Sequence, residues 1–156
     1  MITRRLLFTL PAALTLPAAL PGCAGAPPPP AVLNLTMQGG ADQNPDPVGK
    51  PASVAVRVFQ LAATAKFERA DVFALIEREA TTLGTDGLGS EEFVLAPGET
   101  RKIERELKKG VQFIGAIALF RDIDRAKWRQ IAPAPSSGPV NLMLKTAGIT
   151  ATLAAA

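Results

Sequence analysis

The chain has 156 residues, 47% hydrophobic and 20% charged, which suits one globular domain of ordinary size. Its formal net charge of +3 includes Arg4 and Arg5 near the start, so the remainder is close to neutral and no nucleic-acid partner is expected. Histidine and tyrosine are absent and cysteine occurs once, at Cys23, which excludes a disulfide scaffold within the chain and removes the usual general base for a serine or cysteine nucleophile.

The first elements form a leader. Residues 1–5 are short and basic, residues 6–20 are an apolar run broken by Pro11 and Pro17, and Gly22 is the small residue expected before a cleavage point. This is a secretory signal in form, too short and too proline-broken to span a membrane. Leu20-Pro21-Gly22-Cys23 resembles the lipobox of bacterial lipoproteins, with Pro21 a departure from the usual residue. That resemblance implies cleavage before Cys23, a diacylglycerol on its thiol and acylation of the new amine. By the same resemblance, Ala24 in place of an aspartate favours sorting to the outer membrane, and Thr3-Arg4-Arg5-Leu6-Leu7 leaves the general and twin-arginine export routes both open. Each buried methylene contributes about 0.8 kcal/mol and one chain binds only marginally, so several chains on Cys23 make a firm anchor.

Gly25-Ala26-Pro27-Pro28-Pro29-Pro30-Ala31 follows as a tether. Consecutive prolines favour polyproline II, which from Cys23 to Val32 holds a domain roughly 25 Å from the lipid. The plan is therefore residues 1–22 as signal peptide, 23–31 as lipidated cysteine and stalk, and 32–156 as one folded domain.

In that domain the period is mostly two. Residues 32–37 alternate apolar Leu33, Leu35 and Met37 with polar Asn34 and Thr36, predicting a strand. Residues 39–51 are rich in Gly, Pro, Asn and Asp and predict a long irregular loop. Residues 53–61 are the clearest strand, with Val54, Val56 and Val58 on one face and Arg57 and Phe59 on the other. The spacing of Phe67, Ala70, Phe73, Leu75 and Ile76 predicts one or two short helices over 66–82, with Asp71 as a cap. Strands follow at 91–95, 100–107 and 111–121, with hairpin-type turns at Pro97-Gly98-Glu99 and Lys108-Lys109-Gly110. The nearly continuous apolar run 111–120 predicts a central strand buried on both faces. Residues 140–146 and 149–153 predict a closing hairpin around Ala147-Gly148. About seven short strands with one helical interruption suit an antiparallel sandwich better than a parallel α/β fold.

No catalytic set emerges. Glu91 and Glu92 fall on opposite faces of a strand and cannot share a proton. Asp122 and Asp124 lie among Arg121, Arg125 and Lys127, as salt-linked turn residues do. Asp42-x-Asn44-x-Asp46 opens like a calcium loop, but Pro47 and Ser53 occupy positions needing glycine and glutamate, so no metal is expected. Trp128 reads as a core-edge anchor beneath the stems of Lys127 and Arg129. No cofactor and no small-molecule substrate are expected, and the chain does not read as an enzyme.

Four ordered stretches carry a family resemblance. They are Asn44-Pro45-Asp46 with Gly49 and Ser53-Val-Ala-Val-Arg57-Val-Phe-Gln60-Leu61; Phe67-Glu-Arg-Ala70-Asp71-Val-Phe73-Ala-Leu75; Leu95-Ala-Pro97-Gly98-Glu99; and Phe120-Arg121-Asp122-Ile-Asp124-Arg-Ala126-Lys-Trp128-Arg129. Together with the lipobox they resemble the TssJ (SciN/VasD) family of type VI secretion outer-membrane lipoproteins. Val72, where an aromatic is common, departs from the pattern. The resemblance implies a transthyretin-like antiparallel β-sandwich of about seven or eight strands with a short helical insertion. It also implies lipid attachment to the periplasmic face of the outer membrane, and binding to the periplasmic C-terminal domain of the inner-membrane protein TssM through the loop between the first two strands. Gln43, Asn44, Asp46 and Lys50 are the expected contact positions in that loop; Asn44-Pro45-Asp46 equally suits a role in shaping the turn. The rival readings are a sandwich that binds another envelope component and a periplasmic hydrolase.

Overall fold

The computed structural model describes residues 25–156; the leader and Cys23 lie outside them. Residues 25–30 run exposed and without regular structure into β1 (Ala31–Gly39). In β1 the expected alternation holds: Leu33, Leu35 and Met37 are buried while Asn34 and Thr36 turn outward. Seven further strands follow: β2 (Val54–Leu61), β3 (Gly87–Leu95), β4 (Thr100–Glu106), β5 (Phe113–Leu119), β6 (Arg129–Pro133), β7 (Gly138–Ala147) and β8 (Thr150–Ala155). Between β2 and β3 the chain makes three short helices, α1 (Ala65–Arg69), α2 (Val72–Glu77) and α3 (Glu79–Leu83). One sheet has the order β4-β1-β7-β8 and the other β3-β2-β5-β6.

The expected β-sandwich is therefore present, and three details differ from the expectations. First, β1 and β7 pair in parallel while every other ladder is antiparallel. Second, the turns at 97–99 and 108–110 are not hairpin turns. β3 and β4 belong to different sheets, as do β4 and β5, so both turns are corners that carry the chain across the sandwich. Third, β6 was not anticipated; it pairs with β5 and closes that sheet. The hairpin of β7 and β8 forms as expected, with Ala147 opposite Thr150.

The central strands of the β3-β2-β5-β6 sheet, β2 and β5, carry two apolar faces. Val54, Val56 and Val58 of β2, with Ile114, Ala116 and Ala118 of β5, fill the space between the sheets. Phe59, Leu61 and Ile117 face the other way and pack beneath the helices against Phe67, Leu75 and Leu83. This explains the near-continuous apolar run in β5, which is covered on both sides. Phe67 meets Phe59 edge to face at 5.1 Å between ring centres. Gly115 makes this possible, because a Cβ there would lie 2.8 Å from Phe67 Cζ and 3.0 Å from Leu61 Cδ1.

Polar contacts fix the helical layer in place. Asp71 caps α2, its carboxylate accepting from the Ala74 N–H at 2.9 Å. Arg57 reaches outward from β2 to Glu92 at 2.9 Å, Glu79 at 3.4 Å and the Ile76 carbonyl at 3.2 Å. Arg129 donates to the carbonyls of Phe67 and Ala70 at the end of α1 and stacks on Trp128 at 4.5 Å. Burial pulls the Arg129 guanidinium below the usual arginine pKa. Trp128 is half-buried against both apolar clusters, the core-edge position expected of it.

Candidate docking surface at the loop end of the sandwich

β1 runs the length of its sheet and separates the molecule into two ends. Residues 25–30 enter at Ala31, and the loop that follows Gly39 leaves from the opposite end. The nine residues of the strand span eight steps of about 3.3 Å, which put roughly 26 Å between the two ends. At the far end three segments meet: the loop 40–53, the segment 120–128 after β5, and the turn 147–149 between β7 and β8. A cleft between them is lined by Pro45 and Asp46, by Arg121 and Arg125, and by Gly148 and Ile149.

The loop leaves the sheet through Gly39-Gly40, where backbone packs directly on backbone. A Cβ on Gly39 would collide with the Ala96 carbonyl oxygen, and one on Gly40 with that of Thr146. Ala41 and Asp42 stay exposed, and the side chains of Gln43 and Asn44 then turn inward. Gln43 is fully buried: its Nε2 donates to the carbonyls of Leu95 at 2.7 Å and Ala52 at 3.3 Å, and its Oε1 accepts from the Thr146 hydroxyl. Asn44 is 3% exposed and adopts a left-handed φ of 48°, a conformation asparagine tolerates better than most residues. Its N–H donates to the Gly148 carbonyl at 2.7 Å, its Nδ2 to the Ser53 carbonyl at 2.7 Å, and its Oδ1 accepts from the Arg121 N–H at 2.8 Å. One asparagine thus joins all three segments.

Beyond Asn44 the loop turns back to solvent. Asp46 Oδ1 accepts from the N–H groups of Val48 at 3.0 Å and Lys50 at 2.8 Å, and its own N–H donates to the Lys50 carbonyl at 2.9 Å. This closed turn holds Val48 at its tip, 88% exposed, with Lys50 beside it. On the neighbouring segment Asp122 accepts from Arg125 at 2.6 Å, and that hydrogen bond holds its carboxyl below the usual range. At the adjacent corner the Glu99 carboxylate accepts from the Ala96 N–H at 2.8 Å and from Arg101 at 2.8 Å, which lowers its pKa in that order of cause.

The four loop positions expected from the sequence therefore divide. Lys50 is exposed and Asp46 half-exposed, whereas the side chains of Gln43 and Asn44 are spent inside the fold and present nothing to a partner. Their effect on a surface is to shape it. The sequence reading missed Arg121, Arg125, Ile149 and Thr146 as members of this end. The Phe120–Arg129 motif was a signal for the first two; nothing local marked the others. Among the described residues no group of three or more Asp, Glu or Cys side chains converges as a metal site, and no helix is long and apolar enough to cross a membrane.

Comparison with known proteins bears on this geometry. Residues 31–151 match the family model described as type VI secretion lipoprotein, VasD, EvfM, TssJ. The crystal structure of the type VI lipoprotein TssJ1 from Pseudomonas aeruginosa is similar, with TM-score 0.79 and 34% identity over 82% of this chain and 98% of that one. Lip of Serratia marcescens, a membrane-bound component of the type VI secretion system, matches with TM-score 0.73 and 26% identity over 81% of this chain and 98% of that one. A chain in the structure of the type VI protein TssM C-terminal domain from EAEC matches with TM-score 0.66 and 25% identity over 80% of this chain and 98% of that one. No curated protein matches the sequence at a significant level.

Proposed function

The chain belongs to the type VI secretion lipoprotein family that includes TssJ and VasD, and we propose that it tethers the secretion membrane complex to the outer membrane by binding the periplasmic C-terminal domain of TssM. In this reading Cys23 carries the lipid on the periplasmic face, residues 25–30 space the domain from the bilayer, and the loop end of the sandwich is the docking surface. The role is structural, with no cofactor and no chemical step.

The observation that carries the reading is the opposition of the two ends. A protein fixed by its N-terminus and meeting a partner across the periplasm needs its contact surface pointing away from the anchor, and β1 provides that separation. The loop end is also pre-formed: the buried Gln43 and Asn44 hold it in one shape, so little ordering entropy is lost on docking. Val48 and Lys50 are exposed at the tip of the loop, where a partner would meet them.

Two measurements test this. Cys23→Ser is expected to move the protein from the outer-membrane fraction to the soluble periplasm and to stop secretion; unchanged fractionation would overturn the anchor. The lipid-free chain from Ala24 is expected to bind the purified TssM periplasmic domain in calorimetry. The double variant Val48→Ser, Lys50→Glu is expected to bind about tenfold or more weakly, the scale of losing an interface anchor. No binding by the unsubstituted chain would remove TssM as the partner.

A further inference from the structure

Beside the polar cleft at the loop end lies an apolar groove that the loop does not line. Its walls are Phe73 and Ile76 of α2, Leu119 at the end of β5, and Ile123, with Arg121 at the rim. Arg121 also lines the polar cleft, so the two depressions share a border. Phe73 is 59% exposed although Val72 and Ala74 on either side of it are buried, and it adjoins Ile76, Leu119 and Ile123 in one contiguous apolar depression rather than standing alone. The Asp71 cap fixes how α2 begins, and so fixes Phe73 on the outer wall.

Arg121 is the second observation. Its backbone is pinned, with the N–H bonded to Asn44 Oδ1 and Phe120 buried just before it. Its side chain is exposed, and among the described residues its guanidinium makes no ion pair. The neighbouring carboxylate Asp122 is taken by Arg125. A cation on a fixed root, next to an apolar wall, is built for a ligand that offers the complementary pair.

We propose that this groove is a second contact for the docking partner, receiving a segment in which a carboxylate adjoins an aliphatic or aromatic side chain: the apolar group between Phe73 and Ile123, the carboxylate on Arg121. The proposal rests on the loop end being the docking surface and extends that surface across α2. Two other occupants are disfavoured by what the structure shows. The chain's own N-terminal segment enters at the opposite end of β1. A second copy docking by this groove in a two-fold contact would bring its Arg121 towards the first, like charge against like.

The test is binding of the lipid-free chain from Ala24 to the TssM periplasmic domain at several salt concentrations. Phe73→Ser is expected to weaken binding about tenfold with the salt dependence retained, and Arg121→Glu to weaken it about tenfold or more with a shallower salt dependence. Both side chains are exposed, so melting temperatures are expected to stay unchanged; should Phe73→Ser lower its own, Arg121→Glu decides. If the unsubstituted chain binds, the Val48→Ser, Lys50→Glu variant fails to bind and both groove variants bind normally, the groove is overturned and the loop stands. If the unsubstituted chain does not bind, the groove falls together with the partner. Concentration-dependent dimerisation abolished by Phe73→Ser would assign the groove to a second copy and also overturn the proposal.

Discussion

Asn44 carries more of the loop end than any other single residue. It supplies three hydrogen bonds to three segments and does so from a left-handed backbone. Asn44→Ala removes two of those bonds, leaves the Ser53 carbonyl and Arg121 N–H without those partners, and puts at the left-handed φ a residue that tolerates it less well than asparagine. A loss of about 2–4 kcal/mol in stability is expected from these terms together. Asn44→Gly relieves the backbone and is expected to recover about 1 kcal/mol of that. Urea unfolding of the two variants checks both; an alanine variant as stable as the parent would refute the joining role. The inward turn of Gln43 and Asn44 was not legible beforehand. Polar residues in a loop rich in Gly and Pro read as solvated, and the partners that bury them, Leu95, Thr146 and Arg121, are distant in sequence. Asp46 was legible as a turn former, because its bonds to Val48 and Lys50 are local.

At the scale of elements, the strands with strict alternation were the readable ones. β1, β2 and the β7–β8 hairpin follow from period two and a glycine turn. β6 did not follow, since Arg129-Gln130-Ile131-Ala132-Pro133 is five residues with no clean alternation, and it becomes a strand only because β5 offers an edge. The corners at 97–99 and 108–110 carry the residues of hairpin turns; whether the next strand returns to the same sheet depends on which core its apolar face meets. The one or two short helices expected over 66–82 are three, and Arg78, with φ of −132° and ψ of 36°, separates α2 from α3. The tightest junction between layers is at Gly115, under Phe67. Gly115→Ala is expected to cost about 1–3 kcal/mol by overpacking. Adding Phe67→Leu is expected to return part of that loss, so that thermal unfolding of the single and double variants gives non-additive changes. Additive effects would mean that the ring and the glycine do not share the space.

For the whole molecule, the side of the sandwich where β3 and β4 lie at the sheet edges is bridged by charge. Glu91 on β3 and Arg105 on β4 pair at 2.7 Å, and Glu99 ties the corner between those strands. The hydrogen bond from Arg105 lowers the pKa of Glu91, and the Ala96 N–H with Arg101 lowers that of Glu99. A carboxylate with a depressed folded pKa contributes stability that is complete above its unfolded value, here 4.5, and is lost as pH falls through the folded one. The melting temperature is therefore expected to be level from neutral pH to about 5 and to decline below the ordinary carboxylate range. The variant Glu91→Gln, Glu99→Gln is expected to start lower at neutral pH and to decline less in acid. Parallel pH profiles for variant and parent would show that these pairs contribute nothing. The outer edge β4 is itself dense in charge, with Arg101, Lys102, Glu104, Arg105 and Glu106, which discourages strand addition by another chain.

The parallel pairing of β1 with β7 has a further consequence. β1 is an interior strand, held by seven register positions to β4 on one side and nine to β7 on the other. Residues 25–30 continue from one end of this strand and the loop 40–53 from the other. Tension applied between a bilayer and a partner at the loop would run along β1 itself. Where that pull is shared by the segments 120–128 and 147–149, β1 is drawn against β4 and β7 in shear, and its hydrogen bonds resist side by side rather than parting one at a time as in peeling. The fold thus puts its most securely clamped strand on the line between its two ends, and leaves the helices and β3 off that line.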